Sequence, residues 1–244
     1  GGTLSLDRLG LQLFGGKASA SGRYSTAADP AHPTLSLAAS IAKASFPRTF
    51  EEIEAVRQLA PIFEKASGDY SLSIDMRTTL DAAMSPDLMS LTAQGEISSE
   101  NVSVEGVEVF DKLADLLKND KLRRIEARDL KIRFSIKDGR VTTEPFDLKM
   151  GDVNVNMSGT TGLDRTIDYT AKVTLPAGVG GVLGAVNVGI GGTFTSPKIT
   201  LGVQETVEQV VSNVVSEQID NLTGGRGGLL SDDTQTRAAA LREE

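Results

Sequence analysis

The chain has 244 residues and a formal net charge of −8, from 33 acidic and 25 basic side chains. Without a basic face to meet phosphates it is a poor candidate for nucleic-acid binding, and its lack of cysteine excludes thiolate metal sites, thiol catalysis and disulfides. Hydrophobic residues at 39%, aromatics at 5% and 25 glycines suit a thin, extended sheet better than a thick aromatic core.

Gly1-Gly2 leads directly into a strand-like pattern, which reads as the start of a piece, so any export signal or anchor would lie upstream. Leu9, Leu11 and Leu13 alternate with polar residues, as do Leu35, Leu37 and Ile41. A helical period replaces this over 47–66, where Phe46, Phe50, Ile53, Val56, Leu59 and Phe63 form one stripe after Pro47. Alternation returns at Tyr70, Leu72, Ile74 and Met76, and a second, shorter helix is expected over 106–118. The cleanest alternation follows at Leu130, Ile132, Phe134 and Ile136, at Phe146, Leu148 and Met150, and at Val153, Val155 and Met157. Ile167 to Leu175 and Val186 to Ile190 continue it, with Lys137-Asp138-Gly139-Arg140 as a hairpin and Gly15-Gly16 and Gly151-Asp152 as tight turns. A third helix is expected over 203–222, its stripe running from Val203 to Leu222, followed by a flexible tail over 223–244.

These patterns predict a mainly β fold with a few helices: a curled antiparallel sheet, open as a groove or partly closed like a barrel, with a C-terminal amphipathic helix. An internal repeat joins 4–41 to 141–173. A shift of 137 positions lays Leu9, Leu11 and Leu13 on Phe146, Leu148 and Met150, and Gly22 on Gly159. After a shortened loop, Leu35, Leu37 and Ile41 fall on Ile167, Tyr169 and Val173. No run of about 18 apolar residues is present to span a bilayer as a helix.

Residues for catalysis are missing or scattered, so no enzyme, cofactor or metal is expected. His32 is the only histidine, proline-flanked and without a partner in its sequence neighbourhood. Glu51, Glu52 and Glu54 sit on a polar helix face, and Asp138 and Asp152 lie in turns, where aspartate serves the backbone. The Gly178–Gly184 stretch lacks both the third glycine of a dinucleotide fingerprint and the lysine of a phosphate loop. What remains is the apolar sheet face. Strands between Leu130 and Val173 have too few helical residues beside them for full cover, so an open or partly covered trough is expected there, whereas the region beside the first two helices is expected to be sealed core.

The run Leu130-Lys131-Ile132-Arg133-Phe134-Ser135-Ile136-Lys137-Asp138-Gly139-Arg140-Val141, continuing through Glu144 to Asp152, resembles the C-terminal strand-hairpin signature of AsmA-like proteins of the Gram-negative envelope. Ser158 to Asp164, Ile167-Asp168-Tyr169, Gly191 to Lys198 and the N-terminal Leu11 to Ala18 are similar to the same family. The resemblance spans residues 3–222. It implies a periplasmic region of a protein held in the inner membrane by an N-terminal anchor absent from this sequence. It also implies a bridge-like lipid-transfer architecture serving phospholipid traffic and outer-membrane assembly, with phospholipid and other envelope proteins as partners. On this reading Ile132, Phe134, Ile136, Phe146, Leu148, Met150, Val155 and Met157 are the candidate lipid-facing residues. The alternative is a docking module with a closed core, whose exposed sheet edge or valine-rich helix binds another envelope protein.

Overall fold

The computed structural model describes residues 1–151, 153–174 and 185–202. They form one antiparallel sheet of eleven strands, each hydrogen-bonded to its neighbours in sequence. The strands are β1 (Thr3–Leu13), β2 (Gly16–Ser25), β3 (Thr34–Ser45), β4 (Ala66–Thr79), β5 (Thr92–Glu105), β6 (Arg124–Lys137), β7 (Arg140–Met150), β8 (Val153–Gly162), β9 (Ile167–Thr174), β10 (Ala185–Thr193) and β11 (Ser196–Gly202). β1 and β11 are edges that do not pair with each other, so the sheet is curled and not closed.

Two hairpin turns show why the strands reverse where they do. Asp138 and Gly139 both take positive φ (50° and 68°), the geometry whose twist matches a two-residue hairpin. The first turn falls on Phe14-Gly15, one residue earlier than the glycine pair suggests, with φ of 52° and 86°. The positive φ of Phe14 is held in place by burial and by a 2.9 Å hydrogen bond from the Ser45 N–H to its carbonyl.

The stripe read as one helix over 47–66 is three short pieces: α1 (Phe46–Glu52), α2 (Glu54–Leu59) and a 3-10 turn (Pro61–Lys65). Ile53 takes an extended conformation between the first two, and Pro61, which cannot donate in a helix interior, opens the third. α3 (Glu108–Leu117) matches the second expected helix. It ends on Lys118 in the left-handed conformation, and a second 3-10 turn, Asp120–Arg123, follows. The expected helix over 203–222, the tail over 223–244, all of the 175–184 connection with its glycine-rich stretch, and Asp152 of the expected Gly151-Asp152 turn lie outside the described residues.

The two repeat units pair alike. In the first, Leu9, Leu11 and Leu13 face Ala20, Ala18 and Gly16; in the second, Phe146, Leu148 and Met150 face Met157, Val155 and Val153. The register shifts between Leu6 and Leu9 in one and between Thr143 and Phe146 in the other, the same positions after the 137-residue offset. Leu35, Leu37 and Ile41 pair with Tyr24, Gly22 and Ala18 as Ile167, Tyr169 and Val173 pair with Thr161, Gly159 and Val155.

Candidate functional site: an apolar sheet face, half covered

Side chains opposite one another in an antiparallel ladder point to the same face, so rung partners trace what each face carries. One row crosses all eleven strands: Leu9, Ala20, Ala39, Ile74, Gly95, Phe134, Thr143, Gly159, Tyr169, Ile190 and Ile199. The row beside it on the opposite face reads Asp75, Gln94, Ser135, Thr142, Thr160 and Asp168. The sheet therefore has one continuous apolar side and one polar side. A shallow, open depression of about 540 Å³ over β1–β4 is lined mainly by Ser5, Asp7, Ser21, Arg23 and Asp75 of the polar side.

Among the described residues, helices cover only part of the apolar face. Phe46 of α1, Phe63 and Tyr70 of β4 form an aromatic cluster with ring centroids 4.8 to 5.4 Å apart. Thr49 Oγ1 donates to the Ser45 carbonyl at 2.9 Å and accepts from the Tyr70 hydroxyl at 2.8 Å, which satisfies this buried pair. Burial pushes the Tyr70 phenol above its ordinary value, and the Thr49 bond opposes this more weakly. α2 reaches across to β8, and Leu59 packs in a cluster with Leu91, Ala93 and Ile136.

α3 closes the other end. Val107, Phe110, Leu113 and Leu122 pack with Ile125, Met150 and Val153, and Lys112 Nζ donates to the Pro197 carbonyl of β11 at 3.0 Å. Arg123 ties the element together through Asp111, Asp115 and Asp120, and these carboxylates raise its pKa further.

All eight candidate lipid-facing residues lie on the apolar face, but they are not equally reachable. Ile136, Leu148, Met150 and Val155 are buried, the last two at 2% exposure, while Ile132, Phe134, Phe146 and Met157 are half-buried. Along residues 130–173, where an open or partly covered trough is expected, cover is uneven: Val153 and Val173 have no exposed surface and share a buried cluster with residues of α3, and α2 crosses to β8, while Ile132, Phe134, Phe146 and Met157 keep part of their surface. Helices from early in the chain cover strands from late in it, which only the curl of the sheet allows.

The uncovered part is at the other end. Leu4 is 69% exposed, Leu6 40% and Leu9 44%, and Ala18, Ala20, Leu35 and Leu37 behind them are half-buried. Tyr24 and Met76 border the same surface, with the Tyr24 hydroxyl 3.9 Å from Met84 Sδ in the β4–β5 loop. The alternation of these leucines is plain in sequence; what marks them as exposed is the small size of their neighbours Ala18, Ala20 and Gly22, which leave the first unit thinner than its copy. A second irregularity lies between β6 and β7. Their ladder runs only from Lys137–Arg140 to Phe134–Thr143 and stops before Pro145, which has no N–H to give β6.

His32 does have a partner, contrary to its sequence reading: its Nδ1 lies 2.8 Å from Asp29 Oδ2, which lowers the Asp29 pKa. Both groups are exposed in the β2–β3 loop, and Asp29 also accepts from the Ala31 N–H, as turn aspartates do. Among the described residues there is no group of three or more His, Asp or Glu side chains that could hold a metal. Nor is any described helix long and apolar enough to cross a membrane. No family model, curated protein or solved structure matches this chain.

Proposed function

We propose that the chain is a non-catalytic module of the cell envelope that holds phospholipid acyl chains against its apolar sheet face, in the service of lipid homeostasis or outer-membrane assembly. The observation that carries this reading is the uncovered apolar surface of β1–β3, continuous with the sealed core beside it. Scattered exposed leucines are ordinary, but a contiguous row with a polar reverse side marks a binding surface. β1 has eleven residues, which at roughly 3.3 Å each gives about 35 Å of strand. One acyl layer of a bilayer is about 15 Å thick, so an extended chain fits within that length. Each buried methylene contributes about 0.8 kcal/mol, and no directional group is needed.

The test is uptake of phospholipid from mixed phosphatidylethanolamine and phosphatidylglycerol vesicles, read by native mass spectrometry. Leu37→Asp places a charge on the open face and is expected to reduce bound lipid by about tenfold. Ser36→Asp, on the polar face of the same strand, leaves it unchanged. A folded wild-type chain that takes up no lipid overturns the reading. The surface then belongs to the docking alternative, which the sealed state of Leu148, Met150 and Val155 favours.

A further inference from the structure

We infer that the seam between β6 and β7 is a gate with two states, parted as in this structure and closed as a ladder of set register. The ladder between them stops at Phe134–Thr143, yet β6 stays paired with β5 as far as Arg124–Glu105, and β7 with β8 as far as Met150–Val153. Two facing edges in the middle of the sheet therefore share no ladder bonds over Arg124–Arg133 and Glu144–Met150. Backbone groups on such edges must find water or each other. A depression of about 350 Å³ marks the point where the strands part. It is lined in part by Arg133 and Ser135 of the polar face, by Phe134 of the apolar one, and by Glu144 of β7.

Pro145 has no N–H to give β6, and the step against β8 between Thr143 and Phe146 puts one extra residue in β7 at the same place. Resumed beyond that residue, the ladder sets Ile132 opposite Phe146 and Leu130 opposite Leu148, apolar against apolar on the apolar face. The exposed rungs of that register all join opposite charges: Arg133 with Glu144 at the bulge, Lys131 with Asp147, and Asp129 with Lys149. A slip of one residue sets Lys131 against Phe146 or Leu148 instead, so the pattern selects a single closed register. None of the three charge pairs is formed in this structure: Arg133 bonds Glu96 of β5 at 3.2 Å, and Asp147 accepts from Asn156 Nδ2 at 2.8 Å. Ladder bonds gained on closing replace bonds to water, so the net difference is small and both states are accessible. Parted, the seam leaves Ile132, Phe134 and Phe146 half-buried. Closed, it screens them from the polar side.

Residue-resolved hydrogen exchange of the full chain reads the outcome, because successive β6 amides point alternately to β5 and to the seam. Seam-side amides between Glu126 and Ile132 are expected to show partial protection, less than their β5-facing neighbours and more than free peptide. Lys131→Glu sets like charges opposite each other and is expected to speed exchange of the seam-side amides about threefold, and Lys131→Glu/Asp147→Lys restores the wild-type rate. Both side chains are exposed, so the β5-facing amides and the circular dichroism of both variants are expected to match wild type. Seam-side amides with no protection mean a seam that is always parted, and amides as slow as their β5-facing neighbours mean one that is always closed. Either result overturns the inference, as does partial protection indifferent to Lys131→Glu. None of these readouts depends on lipid uptake.

Discussion

Glycine sets the depth of the apolar face at three places. Gly22, Gly95 and Gly159 each face a large side chain on the next strand: Leu37, Phe134 and Tyr169. A Cβ on Gly159 would lie 2.4 Å from the Asp168 carbonyl oxygen and 2.5 Å from Tyr169 Cα, both backbone atoms that cannot swing aside. Gly159→Ala is therefore expected to destabilise by about 1–3 kcal/mol in urea unfolding. Gly10→Ala, with nothing within 4 Å of its Cβ, is expected to change stability by less than about 0.5 kcal/mol. Equal effects would mean the steric account is wrong. Tyr70 supplies a pH signature. Its folded phenol holds its proton more tightly than the unfolded one, so its contribution is complete below the unfolded pKa of about 10 and is lost as pH rises through the higher folded value. Tyr70→Phe leaves Thr49 Oγ1 without its donor, at about 1 kcal/mol near neutrality. The deficit against wild type is expected to shrink on going above about pH 10, measured by paired urea titrations. A constant deficit would sink the titration argument.

At the scale of elements, most strands are legible as period-two alternation, and Asp138-Gly139 names its hairpin outright. The helical stripe from Phe46 to Phe63 conceals two breaks, because apolar spacing fixes a face but says nothing of continuity. Pro61 was the readable signal for one of them; nothing in sequence marks Ile53. Pro145 likewise signals the end of the β6–β7 ladder, since a proline in a central strand is a conflict that geometry must resolve. The candidate lining residues were legible as a face and not as a surface. Phe134 and Leu148 carry the same pattern, yet one is half-buried and the other 7% exposed. That difference depends on α2 meeting β8 and α3 meeting β11, contacts between segments far apart in the chain. Periodicity has no access to them.

For the molecule as a whole, the sequential pairing of eleven strands means that each hairpin's ladder hydrogen bonds reach only its neighbours, as in a repeat array, while the helices link strands far apart in the chain. Buried apolar mass is distributed unevenly over that array. Val153, Val155, Val173 and Val188 are at most 2% exposed, and α3 packs in the same cluster. β1 contributes no buried residue, and β2 only Gly16 at its first position. Opening β1 and β2 therefore exposes little new apolar surface, whereas opening β8 or β9 dismantles the core, and the free energies of the two events must differ. Native-state hydrogen exchange is expected to show β8 and β9 amides exchanging at the rate of global unfolding, with strong denaturant dependence. Amides of β1 and β2 are expected to exchange much faster and with little dependence on denaturant, because their openings are local. Uniform protection across all strands would mean that the ladder couples the sheet into one cooperative unit despite the uneven core.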